Sequence, residues 1–273
     1  MIDISVNPFA ELSAFNITTE AMQYYVIAML VLVVGSTIID MIHKKSAKYF
    51  FENAKKSQKN ATREVGGGEK IGIAVKTVIE DVALSGEFCN VKRRIAHILT
   101  MYGFIIFVAT TAIMIFNPSN TSALLPQLWH IGAIMLAVGS WWFWLFIRVD
   151  VAAEGNNKLN IAPMDLFSLS LMMTSAFALA WSFSDNHLLL FALFILSSTV
   201  LFGGVLWSKF AHMFFKPAAA FNKRVTKADG SAENLPLLTR DDPEQRERHS
   251  MELLKDAPMN MGLGIKREPP KHY

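Results

Sequence analysis

Four of the seven histidines lie at the ends of strongly apolar segments, where an imidazole could ligate iron. His97 begins one such segment after three basic residues, and His212 follows the end of another. His130 begins a third segment, and His187 begins the segment that His212 follows. Neutral imidazoles from two helices are suitable axial ligands for haem iron in electron-transfer cytochromes. A single histidine at a membrane interface is also ordinary because the ring is amphipathic, and that alternative stays open.

The segments that position these histidines are apolar enough to cross a membrane. Apolar residues make up 52% of the 273 residues and charged residues 18%, with a mean hydropathy of +0.30. Soluble domains carry about 25% charge, so the composition favours a membrane protein. Since backbone groups in lipid must bond internally and strand alternation is absent, we predict an all-α integral membrane protein with five transmembrane helices. The five predicted spans are residues 21–42, 95–116, 128–147, 164–183 and 188–210.

The basic residues predict the orientation of these spans. All 26 lysines and arginines fall within 43–94, 148–163 and 208–273, on one side of a five-span chain. The positive-inside rule then puts the N-terminus outside and the C-terminus in the cytoplasm, in the cytoplasmic (inner) membrane. His97 and His212 form a cytoplasmic pair, and His130 and His187 form an external pair. The tryptophans fall toward the span ends, which is typical of aromatic belts: Trp129 and Trp181 outside, Trp141, Trp142, Trp144 and Trp207 inside.

Four regions follow from this partition: an external N-terminus with the first span (1–42), a cytoplasmic loop (43–94), a four-helix region (95–216) and a charged tail rich in proline (217–273). Within the loop, residues 69–84 place apolar side chains at helical spacing. This predicts an amphipathic helix on the membrane surface or against a partner. The tail cannot bury a core by itself, and residues 243–255 are predicted to form a short helix.

The single cysteine, Cys89, excludes a disulfide framework and an all-cysteine cluster within the chain.

Glycines stand near the cytoplasmic pair of histidines, at Gly103 and at Gly203-Gly204. A glycine lets a flat porphyrin approach a helix backbone, but it serves close helix–helix packing equally well. Both interpretations stay open for each of these glycines.

Two stretches resemble a known family, the nitrate reductase gamma-subunit-like membrane cytochromes b. The first runs from Val78-Ile79-Glu80-Asp81-Val82 through Lys92-Arg93-Arg94-Ile95-Ala96-His97 to Tyr102-Gly103-Phe104, and the second is Ser208-Lys209-Phe210-Ala211-His212. The family includes the membrane subunits of the quinone-interacting complex beside adenylylsulfate reductase, of the dissimilatory sulfite reductase complex and of heterodisulfide reductase. The resemblance covers roughly residues 70–220.

The resemblance implies a membrane cytochrome b that carries electrons between membrane quinone and cytoplasmic iron–sulfur or flavin subunits of a respiratory oxidoreductase. By the match, His97 and His212 are the axial ligands of an inner haem b. His130 and His187 would ligate a second, outer haem, although the family's outer ligand lies deeper in the last helix, where this chain reads Phe191-Ala192-Leu193-Phe194. The alternative function is a haem-free membrane anchor that only docks a soluble redox enzyme.

Overall fold

The computed structural model describes residues 4–43, 46–86, 88, 90–120, 122–148, 161, 165–184, 187–207 and 212–231. Within these residues the chain is helical and contains no β-strand. The α-helices are α1 (Thr19–His43), α2 (Ser46–Lys59), α3 (Gly67–Lys76), α4 (Val91–Phe116), α5 (Leu124–Trp142), α6 (Leu166–Phe183), α7 (Leu188–Gly203) and α8 (His212–Ala228). A 3₁₀ helix (Pro8–Phe15) precedes α1, and π-helical turns continue α3 (Thr77–Ala83) and α5 (Phe143–Ile147).

Four of the described helices are long and apolar enough to cross a membrane: α1, α4, α5 with its π-helical continuation, and α6. This confirms the all-α class and four of the five predicted spans. The fifth predicted span holds α7, which has 16 residues and ends at Gly203. At 1.5 Å per residue, α7 is about 24 Å long, less than the roughly 30 Å of hydrocarbon. A fifth crossing and the orientation therefore stay predictions.

The chain divides into two compact units, one formed by Met1–Ser46 with Val82–Lys216 and the other by Ala47–Asp81 with Pro217–Tyr273. The first unit contains the membrane helices, and its closest packing is between α4 and α5. A Cβ added at Gly103 would lie 2.5 Å from the backbone N of Leu136, and one at Gly132 would lie 2.7 Å from the backbone N of Phe107. Gly103 therefore serves helix–helix packing, one of the two interpretations its sequence position allowed.

The start of α5 and the end of α6 share a buried aromatic cluster. Trp129 and Trp181 are 0% exposed, so both belong to the core. This corrects the prediction that they form part of an aromatic belt facing lipid. Phe9, from the 3₁₀ helix, packs against them at ring-centroid distances of 6.0 and 5.4 Å. Asn7 begins that helix, because its side-chain oxygen accepts a hydrogen bond from the Phe9 N–H at 3.0 Å.

Most apolar side chains of α1 are exposed and make little contact with the rest of the protein. Polar side chains instead connect α1 to its neighbours. The Tyr25 hydroxyl lies 2.8 Å from Ser198 Oγ and 3.2 Å from the Ile195 carbonyl oxygen of α7. Gln23 donates to the Ile115 carbonyl of α4 at 3.1 Å. Such hydrogen bonds are an effective link between helices in lipid, where apolar packing gives little preference for protein over lipid neighbours.

The second unit joins the loop segment Ala47–Asp81 to the segment after residue 216. Arg224 on α8 donates to Asp81 Oδ2 at 2.7 Å and to Glu80 Oε2 at 2.8 Å. This hydrogen bonding holds the pKa of Asp81 below its usual value. The backbone N–H and the hydroxyl of Thr62 donate to the Asp229 carbonyl at 2.9 and 3.1 Å.

Residues 217–231 belong to the tail that was predicted to be unable to bury a core by itself, and they are ordered together with the loop. Residues 217–228 are helical, and the Asp229 carbonyl that follows them accepts hydrogen bonds from the loop. The amphipathic helix predicted at 69–84 is confirmed as helix by α3 and its π-helical continuation. The short helix predicted at 243–255 lies outside the described residues.

Candidate functional site

His97 lies in the second turn of α4 and is partly buried. Its helix begins at Asn90, whose side-chain oxygen accepts from the backbone N–H groups of Lys92 and Arg93 at 2.9 and 3.3 Å. The Nδ1 atom of His97 lies 2.9 Å from the Oγ of Ser85. Ser85 is 0% exposed, and its φ of 49° lies in the left-handed region, which is uncommon for a residue other than glycine.

The start of α8 approaches His97 through one aromatic ring. The Phe88 ring centroid lies 4.8 Å from that of His97, and the Lys216 ammonium lies 5.2 Å from the Phe88 centroid. Position 212 is one helical turn before position 216, so both positions share a face of α8. Lys216, one turn after His212, thus reaches the ring that packs on His97, while the side chain of His212 lies outside the described part.

This arrangement fits a haem ligand at His97. A histidine that binds a metal through one ring nitrogen usually has the other nitrogen hydrogen-bonded, which fixes the ring orientation. The Ser85 hydroxyl supplies that partner at Nδ1, so iron would be bound through Nε2. A haem takes its four equatorial nitrogens from the porphyrin, so two histidines suffice as protein ligands.

His130 is differently placed. It is 3% exposed, and its Nδ1 lies 2.7 Å from the Pro126 carbonyl oxygen. Because a carbonyl only accepts, Nδ1 carries the hydrogen and Nε2 accepts from the Ser182 hydroxyl at 2.6 Å. The Phe183 ring stacks on the imidazole with centroids 5.6 Å apart. His187 is exposed immediately before α7.

A second haem does not fit the external pair as it is placed. Both nitrogens of His130 are hydrogen-bonded within the protein, the Phe183 ring stacks on it, and Trp129 contacts it edge to face. Ligation would leave the partly buried Ser182 hydroxyl without its partner. The structure joins His130 to α6 through Ser182, whereas sequence reasoning paired it with His187.

Sequence reasoning missed an ion pair at the other end of α5. Arg148 donates to Asp165 at 2.5 Å, and the two side chains are 11% and 14% exposed. The Arg148 guanidinium also lies 4.0 Å from the Trp144 ring centroid. The sequence did contain a signal for this ion pair, because the two opposite charges lie at the facing ends of consecutive predicted spans. The pair ties the end of α5 to the start of α6.

Ser85 and Ser182 were missed as well, because serine is common in membrane helices and turns and gives no signal of its own. Among the described residues, no three or more His, Cys, Asp or Glu side chains form a group that could hold a metal ion. Comparison of the chain with protein-family models, curated proteins and solved structures gave no match.

Proposed function

We propose that this chain is a membrane cytochrome b subunit that carries electrons between membrane quinone and cytoplasmic iron–sulfur or flavin subunits of a respiratory oxidoreductase. One haem b would be held by His97 and His212. The observation that supports this most directly is the hydrogen bond between Ser85 and His97 Nδ1, beside the start of α8. The bound haem would supply one-electron transfer at its iron.

The protein's own residues would orient and shield that ligand. The hydrogen bond from Ser85 would fix the plane of the His97 ring. Ser85 is itself fully buried, so the surrounding residues hold it in place. Phe88 packs against the ring and limits the approach of water. Tyr102 ties the same region together, because its hydroxyl donates to the Ala83 carbonyl at 2.9 Å. His97 would therefore be a preorganised ligand.

An apolar groove between α6 and α7 supports the quinone part of the proposal. Its walls include Leu166, Met173, Phe177 and Leu196. Two serines also line it, Ser170 and Ser197, but each hydroxyl donates to a carbonyl of its own helix at 3.0 Å. The groove thus offers a mainly apolar surface, which suits an isoprenoid chain better than a polar ligand.

A reduced-minus-oxidised spectrum of the purified full chain tests the proposal. We expect a b-type band, its loss in His97→Ala and in His212→Ala, and its retention in the matched control His187→Ala. Ser85→Ala should keep the band and shift the midpoint potential, because the ligand loses its hydrogen-bond partner. A flat spectrum from the wild-type chain would favour the haem-free anchor instead. Bands unchanged in both ligand variants would refute the assignment.

The soluble partners would dock through the basic segments and the residues beyond 231. Co-purification of redox subunits with the full chain tests this. Truncation after Ser231 keeps the hydrogen bonds that Asp229 makes with Thr62, so the second unit should stay folded. We expect that truncation to leave the spectrum unchanged and to release the soluble subunits. Undiminished co-purification would show that the tail is dispensable for docking.

A further inference from the structure

The helical stretch formed by α3 and its π-helical continuation exposes one apolar face. Ile71 is 68% exposed, Val75 53%, Val78 57% and Ile79 52%. Their spacing of four, three and one residues puts them on one side of the helix, which we call the aliphatic stripe. Four large apolar side chains exposed side by side mark an interaction surface rather than scattered surface residues.

The charges of this stretch are arranged away from the stripe. Its three acids are all paired within the second unit: Glu69 with Arg63, and Glu80 and Asp81 with Arg224. Lys70 and Lys76 are exposed and flank the stripe on its two sides, and the exposed Lys76 ammonium also lies 3.7 Å from Glu80 Oε1. The stripe and its borders therefore present aliphatic groups and positive charge.

The chain connects this stretch to membrane helices in both directions. The α2 helix begins at Ser46, directly after α1 ends at His43. Val91, the first residue of α4, is eight residues after Ala83. Eight residues reach at most about 28 Å. The stretch is therefore held within reach of a bilayer by connectivity alone.

We propose that residues 67–83 form an interfacial membrane helix, with the aliphatic stripe in the boundary between headgroups and acyl chains and the two lysines at anionic headgroups. A protein partner is the competing occupant. Protein interfaces are enriched in aromatic residues, Met and Arg and depleted in Lys. The stripe contains only Ile and Val and is bordered by Lys, which matches an interfacial helix better. This proposal is independent of haem binding.

The test uses the full chain in vesicles of phosphatidylcholine and phosphatidylglycerol. In a Cys89→Ser background, a nitroxide spin label is attached at Val75→Cys or Ile71→Cys. The matched control is Glu69→Cys, which lies outside the stripe on the side where Lys76 flanks it. Relaxation of each label is measured with oxygen, which concentrates in lipid, and with a water-soluble nickel chelate.

We expect the labels at 71 and 75 to be relaxed by oxygen and to lose relaxation by the nickel chelate, with the reverse at 69. Two outcomes would overturn the proposal. Relaxation of the 71 and 75 labels by the chelate, as strong as at 69, would place the stripe in water. Shielding from both agents would mean that protein covers it. Using two stripe positions guards against a single variant that fails to fold.

Discussion

Two histidines that look alike in the sequence have different surroundings. His97 is hydrogen-bonded at Nδ1 to Ser85 and lies beside Phe88, an arrangement suited to holding a ligand. His130 has a defined tautomer and uses both nitrogens to link α5 with α6. The chemistry available to an imidazole is decided by its hydrogen-bond partners. We therefore assign a structural role to His130.

The structural role of His130 predicts a cost for removing its partner. Ser182→Ala leaves a buried ring nitrogen without a donor, which costs about 1–3 kcal/mol. We expect the free energy of unfolding, measured by SDS titration of the full chain, to fall by that amount. Ser184→Ala is the matched control, because that hydroxyl bonds only a carbonyl of its own helix, Ala180. Equal stability of the two variants would contradict the role.

The sequence was sufficient to place histidines at span ends, because hydropathy changes sharply there. It could not identify their partners. Ser182 lies 52 residues from His130 along the chain, and the pairing depends on how α5 packs on α6. Ser85 is only 12 residues from His97, but its hydroxyl reaches the ring through a turn with positive φ that no local motif signalled.

At the scale of elements, the pair formed by α4 and α5 depends on glycine. Gly132→Ala would put a Cβ 2.7 Å from the Phe107 backbone N and 3.1 Å from the Gly103 carbonyl oxygen. Backbone atoms cannot move aside cheaply, so we expect a loss of about 1–3 kcal/mol in unfolding free energy. The measurement is again SDS titration.

Gly35→Ala on α1 is the control for that substitution. No heavy atom lies within 4 Å of a Cβ added at Gly35, apart from the chain atoms that every helical residue has beside it. Since alanine is the better helix former, we expect this variant to be neutral or more stable by up to about 1 kcal/mol. Equal destabilisation of the two variants would refute close packing as the reason for Gly132.

Hydropathy predicted the long helices well, since a run of apolar residues must be helical in lipid. It did not predict where an α-helix passes into a π-helical turn or where a helix ends. The π-helical turn at Phe143–Ile147 closes with a hydrogen bond from the Arg148 N–H to the Phe143 carbonyl at 2.7 Å. The residues before and after the end of α7 are mostly apolar. The span predicted from hydropathy therefore extended beyond the helix, to residue 210.

At the scale of the whole molecule, the second unit is the feature that the sequence concealed. Hydrogen bonds and ion pairs join segments more than 140 residues apart, as in the contact of Arg224 with Asp81. Composition predicted that both segments are polar and cytoplasmic. It could not indicate that they fold together, because each lacks a core when taken alone.

This shared folding limits the number of membrane crossings. Residues that contact each other outside the lipid lie on one side of it, so the chain must cross an even number of times between Asp81 and Arg224. Three long spans, α4, α5 and α6, lie in that interval. A fourth crossing is then expected in that interval, and we predict that α7 makes it. Modest thinning of the bilayer would accommodate its short length.

The topology follows as a prediction for the full chain. With the five predicted crossings, all 26 lysines and arginines fall on one side, so we predict a cytoplasmic C-terminus and an external N-terminus. A reporter active only in the cytoplasm should work when fused after Tyr273 and when inserted near Ala61, and should fail when inserted near Asn120. The insertion near Ala61 tests the shared side of the second unit independently. A reporter that is active near Asn120 and inactive after Tyr273 would show that the orientation is the reverse of the predicted one. Opposite results for the reporters at Ala61 and Tyr273 would exclude α7 as the fourth crossing.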